Sequence, residues 1–244
     1  MIPRLTLAPT ANRPGIRSAC ASEAGITLIE ALLALVLSIV VGLAVFSMME
    51  FSFRQTYNVA ERVNANQRGR TTLERILLRL HSSCVAVSAV PVREKSNGVT
   101  LNILSKEGNQ AYFGSMTEHS IYLSGTTLFD ATYNSNPGGV APNWTFPSTP
   151  TSVSTLLTNV SPPSGSTSIF QYSKYENGSL VPITATESMS KTVANSVAWV
   201  KITLLVAPET TTRSGGPTRS VELTSSTLLR FDPASSTGQN TPCT

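Results

Sequence analysis

Charged residues are scarce in this 244-residue chain and make up 13% of it, against about a quarter of an ordinary soluble domain. The two histidines, His81 and His119, lack the neighbours that metal ligation requires, and the two aspartates, Asp130 and Asp232, are distant in sequence. The sequence contains no G-x-S-x-G, H-E-x-x-H or phosphate-binding glycine loop. We therefore predict that the protein is not an enzyme and that it holds neither a metal nor another cofactor.

Proline is absent from Ile26 to Val90, so no proline in that stretch forces a helix to end. The segment Ile26–Met49 is apolar except for Glu30, and a helix needs about 20 such residues to cross a membrane. No small-residue cleavage pattern follows it, unlike an ordinary secretory signal. Basic residues precede it, so residues 1–25 are predicted to stay in the cytoplasm and the C-terminal domain to be exported. We predict a transmembrane helix at 26–49.

Beyond Met49, apolar residues recur at helical spacing. We predict an amphipathic continuation of the helix over residues 50–83, with Leu73, Leu77 and Leu80 lying on a sheet. Arginines occupy much of its remaining surface, and we interpret them as a solvated face. They are Arg54, Arg62, Arg68, Arg75 and Arg79.

The carboxylate of Glu30 is the least expected feature of the apolar run. An ionisable side chain inside a membrane costs about 2.5–3.5 kcal/mol on insertion scales, so it is usually kept for a partner. The segment from Ala24 to Glu30 reads A-G-I-T-L-I-E. It closely resembles the class III signal of type IV prepilins, usually written G-F-T-L-I-E, with Ile26 in place of the phenylalanine. The chain thus resembles the type IV prepilin and pseudopilin family.

The resemblance implies a processing route and a set of partners. In that family a prepilin peptidase cuts after the glycine, and the new N-terminus is methylated. Cleavage would fall between Gly25 and Ile26, remove the leader 1–25, and leave Glu30 as the fifth mature residue, where it pairs with a neighbouring subunit's amine. The implied partners are other pilin or pseudopilin subunits, the peptidase, an inner-membrane platform protein, an assembly ATPase and the lipid bilayer; no nucleic acid is expected.

A looser resemblance concerns the helix after the membrane. Gln55-Thr56-Tyr57, Gln67-Arg68-Gly69-Arg70 and Leu73-Glu74-Arg75 look like PilW-like minor pilins and J-type pseudopilins. This implies a minor subunit that helps to assemble or initiate a type IV pilus or a type II secretion pseudopilus, in a periplasmic or cell-surface filament. Two alternatives stay open: a signal-anchored exported binding protein, such as an adhesin or DNA-uptake component, and a membrane-tethered hydrolase.

Cysteine is rare as well. Cys20 lies ahead of the implied cleavage site, which leaves Cys84 and Cys243 in the mature chain. An isolated pair in an exported protein can form a disulfide. The sequence equally allows two unrelated thiols, one near a helix end and one on a loose tail.

Residues 84–231 are predicted to form the exported β-rich domain. Val197–Val206 is the strongest strand, and Val221–Leu229 is expected to pair with it. Turn residues predict hairpins around Gly125 and Asn177. We predict a long loop at 134–168 and a loose tail at 232–244. The expected fold class is α+β and pilin-like, with one long N-terminal helix packed on an antiparallel sheet.

Aromatic residues offer one further candidate surface. Trp144 and Phe146 fall within the predicted long loop, where exposed aromatics would mark a partner site. Trp199 falls within the strongest strand and is predicted to lie in the core.

Overall fold

The computed structural model describes residues 26–83, 91–105, 116–138, 144–184, 187–209 and 220–229. Within them the chain forms a long helix, α1, a short helix, α2, and antiparallel strands, so the fold class is α+β. In chain order the elements are α1 (Leu28–His81), β1 (Thr100–Ser105), β2 (Thr117–Ser124), β3 (Thr127–Asn134), β4 (Ser152–Thr158), β5 (Val160–Ser161), β6 (Phe170–Glu176), β7 (Ser179–Ile183), α2 (Lys191–Ala194), β8 (Val197–Val206) and β9 (Val221–Leu228).

The chain divides into two compact units, Met1–Phe51 and Ser52–Thr244, and the boundary falls within α1. In the first unit, every described residue is exposed to solvent. In the second, one face of α1 is buried. The long helix predicted from about Ile26 to Ser83 is confirmed, since α1 runs from Leu28 to His81. Neither proline nor a turn signal interrupts it.

The strands form two antiparallel sheets. The first has the order β1-β2-β3-β4, and the second has the order β5-β8-β6-β7, with β9 also paired to β8. Val206 lies opposite Val221 and Trp199 lies opposite Leu228, so the predicted pairing of the last two strands is confirmed. Central strand β8 is long and rich in β-branched residues, as a strand with neighbours on both sides requires.

Both predicted hairpins are present, and their turn residues explain them. Asn177 and Gly178 join β6 to β7 with φ of 50° and 79°. A two-residue turn with positive φ at both positions fits the right-handed twist of its strands, and Asn-Gly adopts it at low cost. Gly125, with φ of 59°, begins the turn between β2 and β3.

The buried face of α1 forms part of the main core. Leu73 and Leu80 are buried and Leu77 packs against the same cluster, as predicted. The cluster contains Ile103 of the first sheet and Ile202 of the second, so the helix and both sheets share one apolar interior.

The loop predicted at 134–168 is wrong in its second half. Residues Ser152–Thr158 form β4, an edge strand paired with β3, and Val160–Ser161 form β5. Serine and threonine dominate β4, and its first four residues are exposed. A solvated edge strand needs few apolar side chains, so its composition resembles that of a loop.

The interpretation of the helix arginines as a solvated face is wrong for two of them. Arg68 forms an ion pair with Glu209, and Arg79 forms one with the buried Asp130. Arg62 and Arg75 are exposed, as predicted.

Gly69 permits close approach of α1 to the second sheet. A Cβ atom there would lie 2.2 Å from Leu223 Cδ1 and 3.1 Å from Val206 Cγ2. We therefore expect Gly69→Val to lower the free energy of unfolding by about 1–3 kcal/mol through overpacking. Gln67→Val, at an exposed position of the same helix, is the matched control. Equal urea-unfolding curves for the two variants would contradict this close approach.

Candidate functional site

The candidate site lies at the start of α1, where Thr27 caps the helix. The backbone N–H of Glu30 donates to the Thr27 carbonyl at 3.0 Å and, more weakly, to the Thr27 hydroxyl at 3.4 Å. The N–H of Ala31 also donates to the Thr27 carbonyl, at 3.1 Å. Thr27 is thus the N-cap residue and Glu30 the third helical residue, which is the spacing of a capping box.

Glu30 itself is exposed and is surrounded along the chain by exposed apolar residues such as Ile29 and Leu33. Within the described residues, no hydrogen bond or ion pair engages its carboxylate. The first turn is a favourable place for a negative charge because the helix dipole is positive there. Among the described residues, nothing therefore occupies the carboxylate.

The apolar run that follows is unburied in its entirety. Helix α1 is long and apolar enough to cross a membrane, by length and composition, and a signal sequence meets the same criterion. Ile26, just before the helix, has 76% of its surface exposed. Gly25, the other residue of the predicted cleavage site, lies outside the described residues.

A second polar cluster was missed by the sequence analysis. The carboxylate of Asp130 on β3 pairs with Arg79 of α1 and lies 3.0 Å from Nδ1 of His119 on β2. Asp130 and His119 are each only 1% exposed. His81, exposed in the last turn of α1, has its Nε2 2.8 Å from the hydroxyl of Thr227 on β9.

The cluster is suited to holding structure and not to reacting with a substrate. Asp130 and His119 are nearly inaccessible, and the contacts join α1 to the first sheet. Buried charges are tolerated when they are paired and hydrogen-bonded. The alternation of inward and outward residues on β2 and β3 was the sequence signal, since His119 and Asp130 share the inward face with Ile121 and Leu128.

Burial raises the pKa of three described ionisable groups in the second unit, Glu118, Tyr133 and Tyr172. Burial raises the pKa of the Glu118 carboxyl, and the charges of Arg93 and Lys95 oppose that rise. Burial also raises the pKa of the Tyr172 phenol well above its usual value, with a hydrogen bond to Ser96 acting in the opposite direction.

Tyr172 should make the fold sensitive to alkali. Its hydroxyl donates to the carbonyls of Asn97 and Thr100 at 3.0 and 3.1 Å. Folding raises the pKa of the Tyr172 phenol. The protonated phenol therefore stabilises the fold fully at pH values below the unfolded pKa of about 10, and this stabilisation is lost as the pH rises from there through the higher folded pKa. Tyr172→Phe should cost about 1 kcal/mol at neutral pH. Above pH 10 the difference in the free energy of unfolding between the native chain and Tyr172→Phe should fall by about 1.4 kcal/mol per pH unit, so that it closes and changes sign by about pH 11. A constant gap in urea unfolding from pH 7 to 11 would contradict this assignment.

Cys84 and Cys243, for which the sequence allows either a disulfide or two unrelated thiols, lie outside the described residues, as does Cys20. Within the described ranges, no group of three or more His, Cys, Asp and Glu side chains could hold a metal ion.

The burial of the tryptophans is the reverse of what the sequence predicts. Trp144 is buried, with 6% exposed, against Leu104 and Met116, and Phe146 packs beside it. Trp199 is only half-buried and lines a groove on the outer face of the second sheet. The prediction of a partner surface at Trp144 and Phe146 is therefore wrong, and so is that of a core Trp199. Contacts distant in sequence bury the first pair, and strand alternation turns Trp199 outward.

No protein-family model, curated protein or solved structure matches this chain.

Proposed function

We propose that the protein is a minor pilin or pseudopilin with a pilin-like fold, which is cleaved by a prepilin peptidase, methylated on Ile26 and assembled into a filament. The observation that carries the proposal is the A-G-I-T-L-I-E segment at the start of an exposed apolar helix. The filament would be a type IV pilus or a type II secretion pseudopilus. Its other subunits, a platform protein and an assembly ATPase are the proposed partners.

The position of the proposed cut supports this reading. Helix α1 starts at Leu28, and the hydrogen bonds of its first turn fall on Thr27. A cut between Gly25 and Ile26 leaves those bonds and the apolar run intact. A glycine before the cut gives a peptidase close access to the backbone, because no side chain stands in the way.

The chemistry of the new N-terminus explains the carboxylate. Cleavage creates an ammonium at Ile26, beside the positive end of the helix dipole and next to lipid, and both surroundings disfavour a cation. Glu30 carries the opposite charge and makes no polar contact of its side chain within the described residues. Pairing with the ammonium of a neighbouring subunit offsets the cost of both charges and sets the axial register of the filament.

Processing can be tested by co-expression with a prepilin peptidase. We expect the native chain to lose residues 1–25 and Gly25→Leu to stay full-length. Gly15→Leu is the matched control, since Gly15 also precedes an isoleucine but lies outside the A-G-I-T-L-I-E segment. Cleavage of Gly25→Leu at the native rate would contradict the proposal, as would a native chain that the peptidase leaves uncut.

A further inference from the structure

The outer face of the second sheet carries an open groove of about 470 Å³. That volume lies within the range of about 300–1,000 Å³ that is typical of ligand clefts. Residues of β6, β7 and β8 and of the segments beside them line the groove, and all of them belong to the second unit.

A row of cross-strand neighbours, apolar except for Ser173, runs through Trp199 in the groove and continues beyond the groove to Leu228. On β6, Ser173 lies opposite Trp199 on one side and opposite Pro182 of β7 on the other. Trp199 in turn lies opposite Leu228 of β9, whose surface is 62% exposed. Trp199 is half-buried and lines the groove, and the accessible part of its ring is a planar aromatic surface on which a ligand can stack.

The adjacent row is polar. Gln171 of β6 lies opposite Lys201 of β8, which lies opposite Ser226 of β9. Lys201 is half-buried, and no acidic side chain in the described part of the chain forms an ion pair with it. Ser166 and Ser168 also line the groove. The row therefore offers one cation and several neutral hydrogen-bonding groups.

We propose that this groove binds an acidic saccharide, a sugar chain whose units carry carboxylates. A pyranose ring has an apolar face of C–H bonds, which fits the accessible part of the Trp199 ring, and it has hydroxyls that suit Gln171 and the serines. A sugar carboxylate suits Lys201, two residues further along the same face of β8. A nucleic-acid base would also stack on Trp199, so oligo-dT is the competing ligand in the test. The proposal concerns the second unit and does not depend on filament assembly.

The test uses the full chain in detergent and polygalacturonate as the acidic saccharide. We expect saturable binding that Trp199→Ala weakens by about tenfold or more and that Trp199→Phe largely preserves. Lys201→Gln should lower the affinity for polygalacturonate to that for dextran, a neutral polysaccharide. Tyr175→Ala and Lys191→Gln alter an exposed aromatic and an exposed lysine that do not line the groove, and they should bind as the native chain does. Equal unfolding midpoints establish that the variants are folded.

Four results would overturn the proposal. Two of them are the absence of polygalacturonate binding and a Trp199→Ala variant that binds polygalacturonate as tightly as the native chain does. A third is equal affinity of the native chain for poly-glutamate and polygalacturonate, which would indicate attraction by charge alone. The fourth is tighter binding of oligo-dT than of polygalacturonate.

Discussion

Glu30→Gln is expected to reduce incorporation of the subunit into filaments on the order of 100-fold, while peptidase cleavage stays normal. Glutamine has nearly the same volume and also serves at the third position of a capping box, so the change removes the charge and keeps the helix start. The loss of a charge pair that offsets about 2.5–3.5 kcal/mol per buried charge corresponds to that factor. The measurement is the fraction of the chain recovered in sheared filaments.

Thr27→Ala is the matched control because it removes the cap and keeps the charge. Loss of a cap costs about 1 kcal/mol of helix stability, and within a long helix this should change incorporation little. If Thr27→Ala impairs incorporation more than Glu30→Gln, Glu30 acts through the helix start, and the pairing with a neighbouring amine is refuted.

Asp130→Asn should produce the largest loss of stability among single polar substitutions in the second unit. It removes the ion pair between Arg79 and the buried Asp130 and breaks the charge-assisted contact to His119. Removal of one member of a buried ion pair costs about 3–5 kcal/mol. The measurement is the free energy of unfolding in urea.

Glu209→Gln is the comparison, because Glu209 pairs with Arg68 at a position that is 53% exposed. An exposed pair contributes about 0–1 kcal/mol, so this variant should unfold close to the native chain. If Asp130→Asn lowers the free energy of unfolding by less than about 1 kcal/mol, the cluster does not stabilise the packing of the helix against the first sheet.

Local signals in the sequence were sufficient to predict much of the fold. The hairpin at Asn177-Gly178 depends on two residues that accept positive φ, and β8 depends on a run of apolar and β-branched residues. The long helix follows from helix-forming residues without proline. These features arise from neighbours in sequence, which a single chain displays directly.

What could not be predicted depends on contacts distant in sequence. Strand β4 looks like a loop because its stabilising partner is β3 and its exposed side chains are serine and threonine. Asp130 reads as solitary because Arg79 and His119 reach it only after folding. Trp144 is buried by Leu104 and Met116, from segments far along the chain. The Glu30 segment was recognisable because its residues are contiguous.

The most direct test of the central claim is the intact mass of the chain recovered from membranes of a cell that expresses a prepilin peptidase. The account predicts a chain that begins at Ile26 and is heavier by one methyl group on its amine. A chain that retains Met1, or one cut beyond Met49, would contradict it.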